Sequence, residues 1–107
     1  MTEIVYSHND MKVTVKGHAE SGEHGHDLVC AAVSALIYTL AENINAHSQH
    51  FEGMSASIRL DEGDAEIVCT ECPRVLRAVI DIVFTTVCTG LEMLAKTYPE
   101  NVKYVVV

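Results

Sequence analysis

The chain has 107 residues and a mass of 11.7 kDa, which is one domain (1–107), since single domains run ~100–150 residues. Apolar residues make up 49% and charged residues 21%, a globular balance that excludes a disordered chain. Seven basic against fifteen acidic side chains leave a net charge of −8, which argues against a nucleic-acid binder and suits either plain solubility or a basic partner. The longest mostly apolar run, Leu28 to Tyr38, is broken by Ser34 and falls well short of the ~20 residues of a membrane span. The first eight residues carry neither a basic start nor an apolar stretch, so no signal peptide and no membrane partner are expected. With no secretory signal, the four cysteines read as reduced thiols of a cytoplasmic protein.

Thr2 to Tyr6 reads as a short strand and His8-Asn9-Asp10 as a turn. Met11, Val13 and Val15 alternate with Lys12, Thr14 and Lys16, the period of a half-buried strand. Gly17 to Gly25 has no period and reads as a loop. From Asp27, placed as an N-cap, Leu28, Ala32, Leu36, Leu40 and Ile44 recur every four residues, flanked by Val29, Val33 and Ile37. This predicts a helix to about Asn45, followed by a connection that carries His47 and His50 in solvent. Met54 to Leu60 and Ala65 to Cys69 alternate as two strands around the turn Asp61-Glu62-Gly63-Asp64. Pro73 opens a second helix with the stripe Val75, Leu76, Val79, Ile80, Val83, Phe84, Val87, Leu91 and Leu94, with Gly90 on its apolar face for a close approach and Cys88 at its margin. Pro99 ends it, and Val102 to Val107 is a last strand. The order β-β-α-β-β-α-β predicts an α+β fold with two helices on one mixed or antiparallel sheet. If the valine-rich last strand lies at an edge, it invites pairing with a second copy; otherwise it fills an interior slot.

Gly17 and Gly22 have the outer spacing of a phosphate-binding loop, but Glu23 and His24 stand where its lysine and hydroxyl belong, which excludes nucleotide binding there. With Asp27 as N-cap, Cys30 is the third helical residue, at the positive end of the helix dipole, where a thiolate is favoured. It reads equally as a small buried hydrophobe. His18 ends the strand before the loop, twelve positions ahead of Cys30, and a strand end can meet the next helix start. Cysteine–histidine chemistry needs that proximity; a surface histidine at a strand end is the plain alternative. The three glycines of the loop would let it close over a substrate, or it is an ordinary connection. His18, His24, His26, Asp27 and Cys30 could instead supply metal ligands, although their spacing fits no helical zinc motif, and Cys69-x-x-Cys72 is a lone zinc or redox signal. Ser34, one turn after Cys30, either lines a site or bonds its own backbone.

Gly17-His18-Ala19, followed by Gly25-x-Asp27-x-Val29-Cys30-Ala31-Ala32-Val33-Ser34-Ala35-Leu36, resembles the signature of the ribosomal-processing cysteine proteases, the Prp family. The likeness extends over the whole chain, through Gly90-Leu91, Tyr98-Pro99 and the final valine-rich strand. His24, His26, Cys69 and Cys72 are not part of that pattern. The resemblance implies a cytoplasmic, homodimeric endopeptidase without a cofactor. Its activity would be removal of the N-terminal extension of ribosomal large-subunit protein twenty-seven after an aromatic residue. It further implies Cys30 as nucleophile, His18 as general base and acid, Asp27 and Ser34 in support, and a flexible lid hinged on Gly17, Gly22 and Gly25. Backbone N–H groups at the start of the first helix would hold the oxyanion, and an acidic enzyme would attract a basic ribosomal substrate. A non-catalytic binding module associated with ribosome assembly, with Cys30 merely packed, is the alternative.

Overall fold

The computed structural model of the chain describes residues 1–17 and 24–107, with side chains over 1–17 and 28–107. The elements are β1 (Thr2–Ser7), β2 (Lys12–Lys16), α1 (His24–His50), β3 (Ser55–Asp61), β4 (Asp64–Glu71), a 3-10 turn (Arg74–Leu76), α2 (Arg77–Thr97) and β5 (Val102–Val106). The strands form one sheet in the order β3-β4-β2-β1-β5. Only β1 and β5 pair in parallel, so the sheet is mixed, and the last strand lies at an edge with Val106 55% exposed.

The two helices cover one face of this sheet. Strand alternation sends Ile4, Tyr6, Val13, Val15, Ile67 and Cys69 under them. The other face stays polar: Glu3 lies beside Lys16 on one neighbour and Lys103 on the other, and Glu66 lies beside Arg59. Opposite charges at paired positions support a solvated sheet face. Phe84 of α2 is fully buried and stacks on Tyr6 of β1, with ring centroids 6.1 Å apart and planes 5° from parallel.

Several expectations need correction. Helix α1 starts at His24 and ends at His50, longer at both ends than its apolar stripe. Asp27 is therefore inside the first turn and is not the N-cap, and Gly25 is a helical residue. His47 and His50 belong to the last turn, where His47 Nδ1 lies 2.7 Å from the Asn43 carbonyl and both rings contact Phe51. The buried stripe of α1 runs through Val29, Val33, Ile37, Leu40, Ala41 and Ile44, one residue round from the expected centre; Leu28 is 73% exposed. Val75 is exposed in the 3-10 turn that precedes α2, and Val79 is exposed because it falls off the helix's buried stripe of Ile80, Phe84, Val87, Cys88 and Leu91. The close approach at Gly90 is made by a side chain: a Cβ there would stand 3.0 Å from a methyl of Leu36 on α1.

By length and mean hydropathy alone, the segments Leu28–His50 and Arg74–Thr97 also meet the test for a membrane span, at 1.4 and 1.7. Part of that apolarity is the stripe each helix buries against the sheet, and part is exposed at Leu28, Tyr38, Val79, Ile82 and Met93.

Candidate functional site

The register of the sheet builds a cleft at one end. Lys16 at the end of β2 pairs with Asp64 at the start of β4, so the β3–β4 turn stands beside Gly17. The Gly17 N–H donates to the Gly63 carbonyl at 2.9 Å. Gly17 has φ +84°, and a Cβ there would overlap the carbonyl oxygen of Met1, so only glycine fits. Arg59 braces the turn: its Nη1 lies 2.8 Å from Asp64 Oδ2, 3.4 Å from Asp61 Oδ2 and 3.1 Å from the Asp64 carbonyl. Asp64 holds the Arg59 guanidinium above its ordinary pKa.

Helix α1 forms the facing wall. Cys30, Ser34 and Tyr38 are successive turns of one flank, and all three line the cleft. The volume enclosed is about 660 Å³. Val33 and Ile37 from the helix, Val15 from β2, and Leu60 and Ala65 from the hairpin make its apolar lining; Asp61, Glu62 and Asp64 make an acidic rim. The combination is a half-buried thiol facing a cleft whose lining is part apolar and part polar, with three carboxylates on the hairpin side.

The position of Cys30 in its helix differs from the sequence expectation. It is the seventh residue of α1, not the third. The unpaired N–H groups of a helix belong to its first four residues, and the dipole effect fades within the first turn. The terminus therefore lies ~4.5–9 Å back along the axis from Cys30, at 1.5 Å per residue. Cys30 therefore lies beyond the first turn, outside the stretch over which the helix end acts.

Of the residues singled out from sequence, the structure brings Gly17, Cys30 and Ser34 to one cleft. His18 and Gly22 lie outside the described residues, as does the side chain of Asp27. Tyr38 and the hairpin residues 60–65 were missed. Tyr38 could have been found at eight residues, two helical turns, from Cys30. The hairpin wall could not, because β4 pairs with β2 across nearly fifty residues of sequence. The other thiols are different. Cys88 is buried and its thiol is pushed up to about 11 by burial, although a hydrogen bond with Tyr104 pulls the other way. Cys69 is raised to about 11, again by burial first. Among the described residues, no three His, Cys, Asp or Glu side chains come together as a metal site.

Comparison with known proteins agrees along the chain. The family model of the cysteine protease Prp matches residues 1–103. The ribosomal processing cysteine protease Prp of Staphylococcus aureus is 24% identical over 103 residues, covering 85% of this chain and 81% of the relative. A crystal structure of the S. aureus protease with a covalently linked product peptide superposes with a TM-score of 0.76 at 24% identity, each chain covered fully. The structure of SMU.848 from Streptococcus mutans gives 0.73 at 25% identity, over 99% of this chain and 91% of that one. The fold is shared with both, and the family match over nearly the full length shows that this chain belongs to the cysteine protease Prp family.

Proposed function

We propose that this chain is a ribosomal-processing endopeptidase that removes the N-terminal extension of the precursor of ribosomal large-subunit protein twenty-seven. The observation that carries the reading is the Cys30 thiol in the wall of a cleft of about 660 Å³, lined in near-equal part by apolar and polar groups, in a chain of a cysteine protease family. The S. aureus relative is named for ribosomal processing and has been crystallised with a substrate peptide.

In this mechanism Cys30 Sγ attacks the carbonyl carbon of the scissile bond while His18 takes the thiol proton. The carbonyl π pair moves to oxygen; its return expels the amine, which receives that proton from His18. A thioester on Cys30 remains, and water deprotonated by His18 hydrolyses it, releasing the acid and restoring the thiol. Asp27 and Ser34 support the pair, with Ser34 one turn from Cys30 in the same cleft. Val15, Val33, Ile37, Leu60 and Ala65 offer the apolar lining that an aromatic residue before the cut would need. The segment between Gly17 and the start of α1 at His24 acts as lid, with Gly17 as its fixed root through the bond to Gly63. The enzyme works in the cytoplasm as a homodimer, for which the exposed edge β5 is one available surface.

A peptide spanning the precursor junction, read by mass spectrometry, tests the proposal. Wild type should cut it once after the aromatic residue and Cys30→Ala should leave it intact. Cutting by Cys30→Ala at the normal rate would refute the assignment.

A further inference from the structure

The catalytic reading leaves the Cys69-x-x-Cys72 pair unused. Side chains alternate along a strand, so residues three apart would point to opposite faces of the sheet. Strand β4 departs from that rule at this place. Its register with β3 runs Ala56 opposite Cys69 and then Ser55 opposite Glu71, which leaves Thr70 without a partner. Thr70 is thus the extra residue of a β-bulge, and one extra residue shifts the alternation by one. Thr70 and Glu71 are both exposed, and Cys72 turns back to pack against the core on the side of Cys69.

The bulge brings the sulfurs together. The Cys72 sulfur stands close enough to Cys69 to help hold that thiol neutral. Cys69 Sγ lies 3.4 Å from the Glu71 carbonyl, and Cys72 Sγ lies 3.5 Å from the Pro73 carbonyl. Cys69 is 6% exposed and Cys72 is half-buried, so a reagent reaches Cys72 first, with Cys69 behind it. Four residues of strand, ~14 Å at 3.4 Å each, separate Cys69 from Ala65 at the catalytic cleft.

We propose that Cys69 and Cys72 form a reversible intramolecular disulfide, a redox site separate from the Cys30 cleft. The oxidant is a low-molecular-weight disulfide. The Cys72 thiolate attacks one of its sulfurs, forming a mixed disulfide and releasing one small thiolate. Cys69, having given its proton to solvent, then displaces the second small thiolate from Cys72. Two protein thiols are oxidised to one disulfide, and one small disulfide is reduced to two thiols. The link ties the end of β4 to the segment that leads into α2. It does not depend on the proteolytic reading, because neither sulfur lies in the cleft.

The test uses the full chain carrying Cys30→Ala, so that the cleft thiol does not compete. The protein is equilibrated in glutathione buffers from fully reduced to fully oxidised, acid-quenched, alkylated under denaturing conditions and weighed. Two alkylation sites should vanish together, giving a mass about 2 Da below the reduced protein once alkyl groups are subtracted, with no glutathione adduct. Peptide mapping should place the link between Cys69 and Cys72, with Cys88 still alkylated, and dithiothreitol should restore both sites. Adding Cys72→Ser, at a half-buried position that leaves the circular dichroism unchanged, should abolish the 2 Da loss. A glutathione that stays on Cys72 throughout the series, or both thiols alkylated at the most oxidising ratio, would overturn the proposal.

Discussion

Cys30 and Cys88 each sit on one of the two helices that cover the sheet, and their surroundings are opposite. Cys88 is 2% exposed beneath α2, where burial pushes its thiol up to about 11. Cys30 lies on the flank of α1, half-buried, where that helix overhangs the sheet end at the β3–β4 turn. The difference lies in what faces each helix. Helix α2 packs on β1 through Phe84 and Tyr6, and its Cys88 is buried in that layer, outside the cleft that Cys30 lines. Helix α1 faces the β3–β4 hairpin across a cleft of about 660 Å³. A thiol is open to a ligand where packing stops, not where the helix is best buried.

Exchanging the two thiols in turn gives the largest contrast. Cys30→Ala should lower kcat/KM on the junction peptide by roughly 10⁴-fold or more while leaving the melting temperature within a degree or so, because one sulfur is lost at a cleft wall. Cys88→Ala should do the reverse. It should retain full activity and lose about 1 kcal/mol of stability in urea unfolding, from a small cavity beneath α2. Equal activity losses in the two variants would erase the distinction.

The phase of α1 sets the next contrast. Val29 is 3% exposed and its neighbour Leu28 is 73% exposed. Val29→Ala should cost about 2 kcal/mol, whereas Leu28→Ala should stay within about 0.5 kcal/mol. If Leu28→Ala proved the costlier, the helix would be rotated by one residue, and Cys30 with it.

Alkaline unfolding sharpens the comparison of thiols. The Cys88 thiol ionises near its ordinary value of 9.0 in the unfolded chain and at about 11 in the folded one. Between these values the unfolded state binds fewer protons, so stability falls as pH rises from 9 to 11. Cys69 contributes in the same direction and over the same window. Melting temperatures measured across that range should fall, and less steeply in Cys88→Ala. An unchanged slope in the variant would mean that Cys88 is not held neutral by its burial.

The smallest effect expected is electrostatic. Asp61, Glu62 and Asp64 rim the cleft, and Arg59 is committed to two of them. For a basic peptide, kcat/KM should fall about two- to fivefold between low and physiological salt, mostly through slower association. No change with salt would remove the rim from substrate capture.

Much of this arrangement was legible in the sequence where one segment determined it. Val13 and Val15 alternating with lysines gave β2, and Asp61-Glu62-Gly63-Asp64 gave the hairpin turn with Gly63 at φ +72°. The stripe of α1 was broad enough that composition alone could not centre it, since Leu36 on its flank packs against α2 at Gly90. The helix start was misplaced because Gly25 reads as a helix breaker and Asp27 as a cap, yet the helix begins at His24. That shift moves Cys30 from the third to the seventh helical position, away from the helix end. The hairpin wall depends on β4 joining β2 in the sheet, a long-range pairing that no local pattern encodes.

Alkylation of the native chain by iodoacetamide at neutral pH, with each cysteine followed separately by mass spectrometry, tests the central claim most directly. Cys30 should react fastest of the four, at least tenfold faster than buried Cys88, and a junction peptide should slow its reaction and no other. A Cys30 that reacts no faster than Cys88, or at the same rate with saturating peptide, would contradict the account.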